Sequence, residues 1–408
     1  MSLPDIPHHG TTSASPRLIA TSSEVRIGIV GSGFVCRHFL RRLERLHGFR
    51  ASAVLTRRKA DSYRGFPRPD LLTNSVDELI DQSDLVFECT GDALHATDVI
   101  DRIAPTGKPV VTLNTEFHIV AGSHFCSRMP VSEAEGDQPG SLAALAEEVE
   151  EMGFEPLVYG NMKGFLKHHP SPEEMAYWAA KSGISLPMVT AFTDGTKVQL
   201  EQALVANGCG AAIAKPGLLG IVEDDLRQAG SELARVAERI GRPLSDYVLS
   251  PAASHGVFVV ARHDERERDC LRYLKMGDGP YYYLEKRNVL VHLEVVKTIR
   301  RIIEGRGILL NNSVDPTVTV VAIAKHELTA GTRLERGVGS FHVRGQARSL
   351  KEARGCVPIP LLDGAALVRR VEYGQPLTFD DVALPESRAL DLWQSIESRH
   401  LASPRTRR

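Results

Sequence analysis

The chain has 408 residues, of which 42% are hydrophobic and 25% charged, and its formal net charge is −2. That length holds two or three domains with a well-buried core, while the near-neutral charge offers no field that would draw nucleic acid or an anionic membrane. No apolar run reaches the roughly 20 residues of a membrane-spanning helix, so neither a membrane nor a nucleic-acid partner is expected.

Residues 1–24 are polar and lack the basic-then-apolar order of a secretory signal, so they read as a disordered leader. Residues 387–408, ending in SPRTRR, read as a C-terminal tail. The six cysteines follow no CxxC spacing, which predicts reduced thiols rather than a disulfide framework or a zinc site, and hence a cytoplasmic location.

The first apolar run, VRIGIV at 25–30, is expected as a buried parallel strand. A helix is expected at 34–46, then strands at 51–55, 84–89 and 109–113 with helices at 76–81 and 92–103. This alternation predicts a parallel α/β sheet. Residues 131–140 turn acidic with Gly and Pro, which predicts a surface loop; 141–152 is an acidic helix, and 155–159 is expected to return a strand to the first sheet. The stretch 160–315 mixes helices with strands such as 256–261, and a helix at 289–303 is expected to pack back on the first domain. Residues 316–386 change texture, with short strands between Gly/Pro turns, and predict a small separate β-rich module. The expected fold is α/β: an N-terminal Rossmann domain at 25–159, a central α+β catalytic domain at 160–315 and the β-rich domain at 316–386.

Gly31 and Gly33 stand where a strand opens into a helix. The first permits a tight turn and the second lets the backbone approach a pyrophosphate at the helix N-terminus, where Phe34 and Val35 begin the helix. Cys36 takes the third small position of this fingerprint. The end of the second strand reads Thr56-Arg57-Arg58, without an acidic residue for the ribose hydroxyls of NAD. A hydroxyl and two guanidinium groups suit a 2′-phosphate, so NADP is the expected cofactor. Thr90 and Gly91 end the next clear strand and lie either beside the nicotinamide or in a plain turn.

The blocks VRIGIVGSGFV, DLVFECTG and KPVVTLN resemble the homoserine dehydrogenase superfamily. YGNMKGF and VTAFTDGTKVQLEQALVANG narrow the resemblance to homoserine-dehydrogenase-like oxidoreductases that end in a SAF domain, a branch with 1-deoxy-D-xylulose 5-phosphate reductoisomerase-like members. The stretch VVAIAKHELTAGTRLERG is similar to SAF domains. The resemblance implies NADPH-dependent chemistry on a small carbonyl compound, with or without isomerisation of its carbon skeleton. Asn114 matches the superfamily's Asn-Lys pattern at the cofactor, but Thr115 stands in place of the lysine. Glu116 completes an Asn-x-Glu pattern suited to a hydroxyl substrate or a metal.

Two blocks carry candidate chemistry. Asp194 and Lys197 correspond to the family's Asp-and-Lys pair at a spacing of three rather than four; Lys197 would supply a proton or stabilise a developing alkoxide, with Asp194 orienting it. Lys197 and Glu201 are four apart, so the alternative is a helix cap followed by a surface ion pair. Asn161 and Lys163 lie between Gly160 and Gly164, which reads either as a hinge presenting Lys163 to a phosphate or as solvated surface. Asn207 would complete a substrate pocket or serve as a buried packing amide. His168, His169 and His255 have no carboxylate at ligand spacing, so no metal ligands are assigned, although a divalent metal is not excluded. Tyr281, Tyr282 and Tyr283 are expected in packing. The SAF-like module would bind a sugar or an anion, cover the catalytic domain, or join copies of a homo-oligomer. Other readings are a dehydrogenase without isomerisation and a non-catalytic NADP(H)-sensing regulator.

Overall fold

The computed structural model describes residues 24–402 apart from 61, 62, 64, 253 and 254. The expected leader at 1–23 and the end of the tail at 403–408 lie outside the described residues. The first sheet holds β1 (Val25–Val30), β2 (Phe49–Leu55), β3 (Leu72–Thr73), β4 (Leu85–Glu88), β5 (Val110–Thr112) and β6 (Val131–Glu133), in the order β3-β2-β1-β4-β5-β6. All pairs are parallel. In this doubly wound order the chain reverses direction beside β1, which opens a crevice at the carboxyl ends of the strands.

Strands buried on both faces need apolar residues on both, which is why VRIGIV is continuous rather than alternating. One face packs Ile27, Ile29 and Phe87 against Phe39 and Leu40 of α1 (Phe34–Leu43). The other packs Val30 and Val86 against Leu79 of α2 (Val76–Gln82) and Ile100 of α3 (Ala93–Ile103). Ser75 and Asp92 start α2 and α3 by accepting backbone N–H bonds from Glu78 and His95.

Beyond β5 the chain forms the short α4 (Thr115–Phe117), one π-helical turn (His118–Gly122) and α5 (Ser123–Phe125). Residues 131–140, expected as a surface loop, instead supply the buried strand β6 and the start of α6 (Gln138–Glu151). The polar letters Ser132 and Glu133 disguise this strand, yet both are fully buried.

The second sheet corrects the expectation for residues 155–159. They begin β7 (Glu155–Lys163), which lies in this sheet and not in the first. Short apolar strands do not encode which sheet they join. β7 pairs with β10 (Gly256–Arg262) antiparallel and with β9 (Leu244–Leu249) parallel; β8 (Ile221–Val222) and β11 (Tyr282–Lys286) are the edges. A Cβ at Gly160 would sit 2.1 Å from the Phe258 ring, so this glycine serves close packing within a strand rather than a hinge.

Between β7 and β8 run α7 (Pro172–Ser182), α8 (Leu186–Thr193) and α9 (Thr196–Gly208), followed by α10 (Leu226–Ile240), α11 (Arg268–Tyr273) and α12 (Val291–Ile303). Helix α12 packs back on the first domain as expected, through Val295, Val296, Ile299 and Ile302. Helix α9 is buried from Thr196 to Asn207 on every side. Its polar residues therefore need internal partners, and no surface ion pair between Lys197 and Glu201 forms.

The C-terminal region pairs β12 (Val318–Ala324) with β14 (Val343–Ser349), beside a small sheet of β13 (Arg333–Leu334), β15 (Ala365–Leu367) and β16 (Val382–Ala383). It is β-rich as expected but not separate, because Leu200 and Leu204 of α9 share one core with Val320, Ile359 and Leu377. Backbone N–H groups of β14 also donate to α9 side chains, Gly345 to Thr196 (2.9 Å) and Ala347 to Gln199 (2.8 Å). Residues 388–402, expected within a tail, form α13 (Arg388–Ala402), which buries Ala389, Leu392 and Trp393. No helix among the described residues is long and apolar enough to cross a membrane, and all six cysteines are free.

Candidate active site

The crevice at β1 fits a dinucleotide. Gly31 adopts φ +107°, a conformation L side chains rarely adopt, and its N–H closes the turn on the Leu55 carbonyl (3.0 Å). Gly33 precedes α1, whose first turn has no side-chain cap, and a Cβ at Gly33 would meet nothing within 4 Å. Unpaired helix N–H groups facing open space are the setting a pyrophosphate requires. Phe34 is exposed, Val35 half-buried, and Cys36 is buried against the sheet, which pushes its thiol up to about 12.

At the end of β2, buried Thr56 shares a hydrogen bond with Ser32 (2.9 Å). Arg57 pairs with Asp92 (2.8 Å) on the surface. Arg58 lies over the Tyr63 ring, 4.6 Å from its centroid, and bonds the same hydroxyl that Arg37 contacts at 2.5 Å. Tyr63 thus gathers two guanidinium groups beside the crevice; nothing near it in sequence marks that role.

Thr90 and Gly91 close the end of β4. The Thr90 N–H and hydroxyl and the Thr112 hydroxyl all donate to Glu88, whose carboxyl is pushed up by full burial against the pull of these bonds. Met188 of α8 lies 3.8 Å from where a Gly91 Cβ would stand, so α8 sits over this turn. Asn114 caps α4 through Oδ1, and its buried Nδ2 has no partner among the described residues.

Next to Asn114 stands the central pair. Lys197 of α9 donates to Glu116 Oε1 (3.0 Å) and Oε2 (3.2 Å) and to the Thr115 hydroxyl (3.1 Å), with all three residues buried. Burial opposes the charge on Lys197, but Glu116, Asp137 and Glu201 outweigh it and hold the ammonium well above the ordinary lysine range. One turn on, Glu201 Oε2 accepts from Asn161 (2.8 Å) and Lys163 (2.9 Å) of β7. Glu201 Oε1 and Asn161 Oδ1 are buried with no partner among the described residues. Buried acceptors of this kind are rarely left unpaired, so both oxygens have capacity for a further hydrogen bond.

Asp137 was not visible as a candidate in the sequence, since it sits in what reads as a loop. It caps α6 through Oδ1 and feels the charges of Lys197, Glu201 and Glu116; burial, partly offset by Lys197, pushes its carboxyl up to about 6. Glu133 and His118 form a second unforeseen pair, 3.4 Å apart and fully buried. Burial alone takes His118 down to about 3, and burial raises Glu133 well above the carboxylate range.

Two expected site residues lie elsewhere. Asp194 does not orient Lys197: it accepts from the Thr196 N–H (2.8 Å) and pairs with Lys325 of the C-terminal module (2.6 Å). Asn207 is the packing amide, donating to Asn312 and the Val318 carbonyl and accepting from the Thr317 and Val318 N–H groups. Tyr282 and Tyr283 are buried in packing as expected. Among the described residues no three His, Cys, Asp or Glu side chains are grouped to hold a metal ion.

The family model for the catalytic domain of oxidoreductase DRL matches residues 136–295, which carry Asp137, Asn161, Lys163, Lys197 and Glu201. No curated protein matches the chain. Among solved structures, a probable dehydrogenase from Thermotoga maritima is 12% identical with TM-score 0.41, covering 70% of this chain and 90% of that one. A UDP-N-acetylglucosamine 3-dehydrogenase from Acidithiobacillus ferrooxidans is 12% identical with TM-score 0.38, over 71% and 92% of the two chains. A 3-ketoreductase from Actinomadura kijaniata, solved with NADP, is 18% identical with TM-score 0.26, over 35% and 49%. The chain is an NAD(P)-dependent oxidoreductase by its matched catalytic domain, set behind a sheet of dinucleotide-binding order.

Proposed function

We propose that the chain reduces a small polyhydroxylated or phosphorylated carbonyl compound with NADPH. The observation that carries this reading is a buried ammonium, Lys197 on Glu116, beside the unpartnered buried acceptors Asn161 Oδ1 and Glu201 Oε1. A ketone or aldehyde oxygen placed at Lys197 would gather negative charge as its carbon is reduced, and a fixed ammonium in a dry crevice stabilises that charge. The nicotinamide, when bound along Gly31, Gly33, Thr90, Gly91 and Asn114, supplies the hydride.

Lys197 is held too firmly charged to exchange protons readily, so its role is electrostatic. Asp137, buried in the same field with its carboxyl pushed up to about 6, would deliver the proton. Asn161 and Glu201 accept bonds from substrate hydroxyls, and Lys163 fixes Glu201. Arg58 and Thr56 at the end of β2 favour NADPH over NADH.

A reductoisomerase form of this reaction, from 1-deoxy-D-xylulose 5-phosphate to 2-C-methyl-D-erythritol 4-phosphate, rests on the resemblance carried by YGNMKGF and TDGTKVQLEQ. The test is NADPH consumption with that sugar phosphate, with and without magnesium or manganese, followed by product identification. A branched polyol phosphate supports the full reading. A reduced product with its carbon skeleton unchanged supports reduction and removes the rearrangement.

A further inference from the structure

The C-terminal module places a second charged group at the N-terminal end of α9. Lys325, which follows β12, is buried and donates to Asp194 Oδ2 and to the Ser340 carbonyl, both at 2.6 Å. Arg344 of β14 stands near Lys325, Asp194, Tyr247 and Tyr373. It is half-buried, and its side chain makes no hydrogen bond or ion pair with any described residue.

Imidazoles add donors. His168 Nδ1 lies 3.1 Å from the Asp194 carbonyl. His169 Nε2 lies 3.5 Å from the Tyr373 hydroxyl and feels both Arg344 and Lys325. His342 and His326 contact each other at 3.1 Å beside Lys325. Burial lowers Lys325 and Arg344 from their ordinary ranges against the pull of Asp194, and burial followed by neighbouring positive charges lowers His169 and His342.

The Asp194 carboxylate facing this group is already bonded to Lys325. Arg344 feels the Asp194 charge but makes no direct ion pair among the described residues, and its planar fork of donors matches a phosphoryl or carboxylate group. We propose that Arg344, with Lys325 and His169, forms a subsite for the phosphoryl group of a small phosphate ester, at the seam between the C-terminal module and α9.

The link to substrate rests on the proposed reductive function. Asp194 and Lys197 are three residues apart, so their Cα atoms are at most about 11 Å apart. On that reading, the ester of a phosphorylated carbonyl compound held at Lys197 would occupy the subsite. The same chemistry would also accept a free phosphate acting as an effector.

Titration calorimetry of inorganic phosphate into the full-length chain, against chloride at equal ionic strength, tests the subsite. Saturable one-to-one binding is expected, weakened at least tenfold in Arg344→Ala and Arg344→Gln. It should be unchanged in Arg348→Ala, whose guanidinium on the same strand is bonded to Gln346. Phosphate should also shield Arg344 of the wild-type chain from phenylglyoxal, read by peptide mass, which requires no folded variant. Dihydroxyacetone phosphate separates the two sources. Binding tighter than phosphate only when NADPH is present assigns the subsite to the substrate's own ester, and binding equal to phosphate in either state assigns it to a free anion.

Non-saturable heats, Arg344 variants that bind as well as wild type, or unshielded Arg344 would overturn the subsite. Because phosphate binding is read without turnover, a chain that binds phosphate through Arg344 yet reduces no carbonyl compound would sink the proposed reaction alone.

Discussion

Lys325 and Asp194, 131 residues apart in sequence, meet in a 2.6 Å ion pair with both side chains buried. The pair anchors the C-terminal module to the turn that launches α9, three residues before Lys197. Removing Lys325 leaves a buried carboxylate unpaired, which typically costs about 3–5 kcal/mol. Lys325→Met is expected to destabilise by about 3 kcal/mol in urea unfolding, and Asp194→Asn on top of it to recover much of that loss. A Lys325→Met protein as stable as wild type would show that the pair does not hold the module.

The proposed preference for NADPH rests on the end of β2. Arg58 packs on Tyr63 and bonds no acidic side chain among the described residues, whereas Arg57 is drawn to Asp92. Arg58→Ala is therefore expected to weaken NADPH by about tenfold, roughly 1.4 kcal/mol, and to leave NADH nearly unchanged. Fluorescence titration with both nucleotides measures this; equal losses for the two would place the 2′-phosphate elsewhere.

Asp137 sets a pH dependence. Its carboxyl titrates near 6, so the protonated form that serves reduction dominates below that pH and falls tenfold per unit above it. The kcat/KM for carbonyl reduction is expected to decline from about pH 6 upward, and Asp137→Asn to lower the plateau and flatten that limb. A limb that persists in Asp137→Asn belongs to another group.

Much of the fold was legible in the sequence, because β1, the Gly31–Gly33 turn and α1 follow from local periodicity and from glycine's freedom at φ +107°. Helix α12 was legible for the same reason. What escaped were Glu133 in β6, Asp137 behind an apparent loop, and the complete burial of α9, whose Lys197 and Glu201 were candidates but also read as a surface ion pair. The Asp194–Lys325 pair joins residues far apart in the chain, and no local pattern reports such a contact. Strand β7 went to the unexpected sheet because an apolar run fixes its state but not its neighbour.

The buried His118 gives acid sensitivity. Its folded pKa is lowered to about 3 from 6.5, so the unfolded chain takes up a proton below 6.5 while the folded chain does not until about 3. Its contribution to stability is full above 6.5 and declines by about 1.4 kcal/mol per pH unit below it. Relative to wild type, His118→Asn is expected to gain about 2 kcal/mol between pH 6.5 and pH 5 in denaturant unfolding. The difference is taken between the two proteins because the raised carboxyl of Glu133 acts in the opposite sense in both. A constant difference across that range would mean that His118 is charged in the folded state.

The most direct test of the central claim compares wild type with Lys197→Met in NADPH oxidation on 1-deoxy-D-xylulose 5-phosphate and a panel of sugar carbonyl compounds, with NADPH binding followed by fluorescence. The account predicts that the variant binds NADPH as wild type does and loses at least about a hundredfold in turnover, the scale of removing one preorganised charge stabiliser. Turnover by Lys197→Met at the wild-type rate would contradict it.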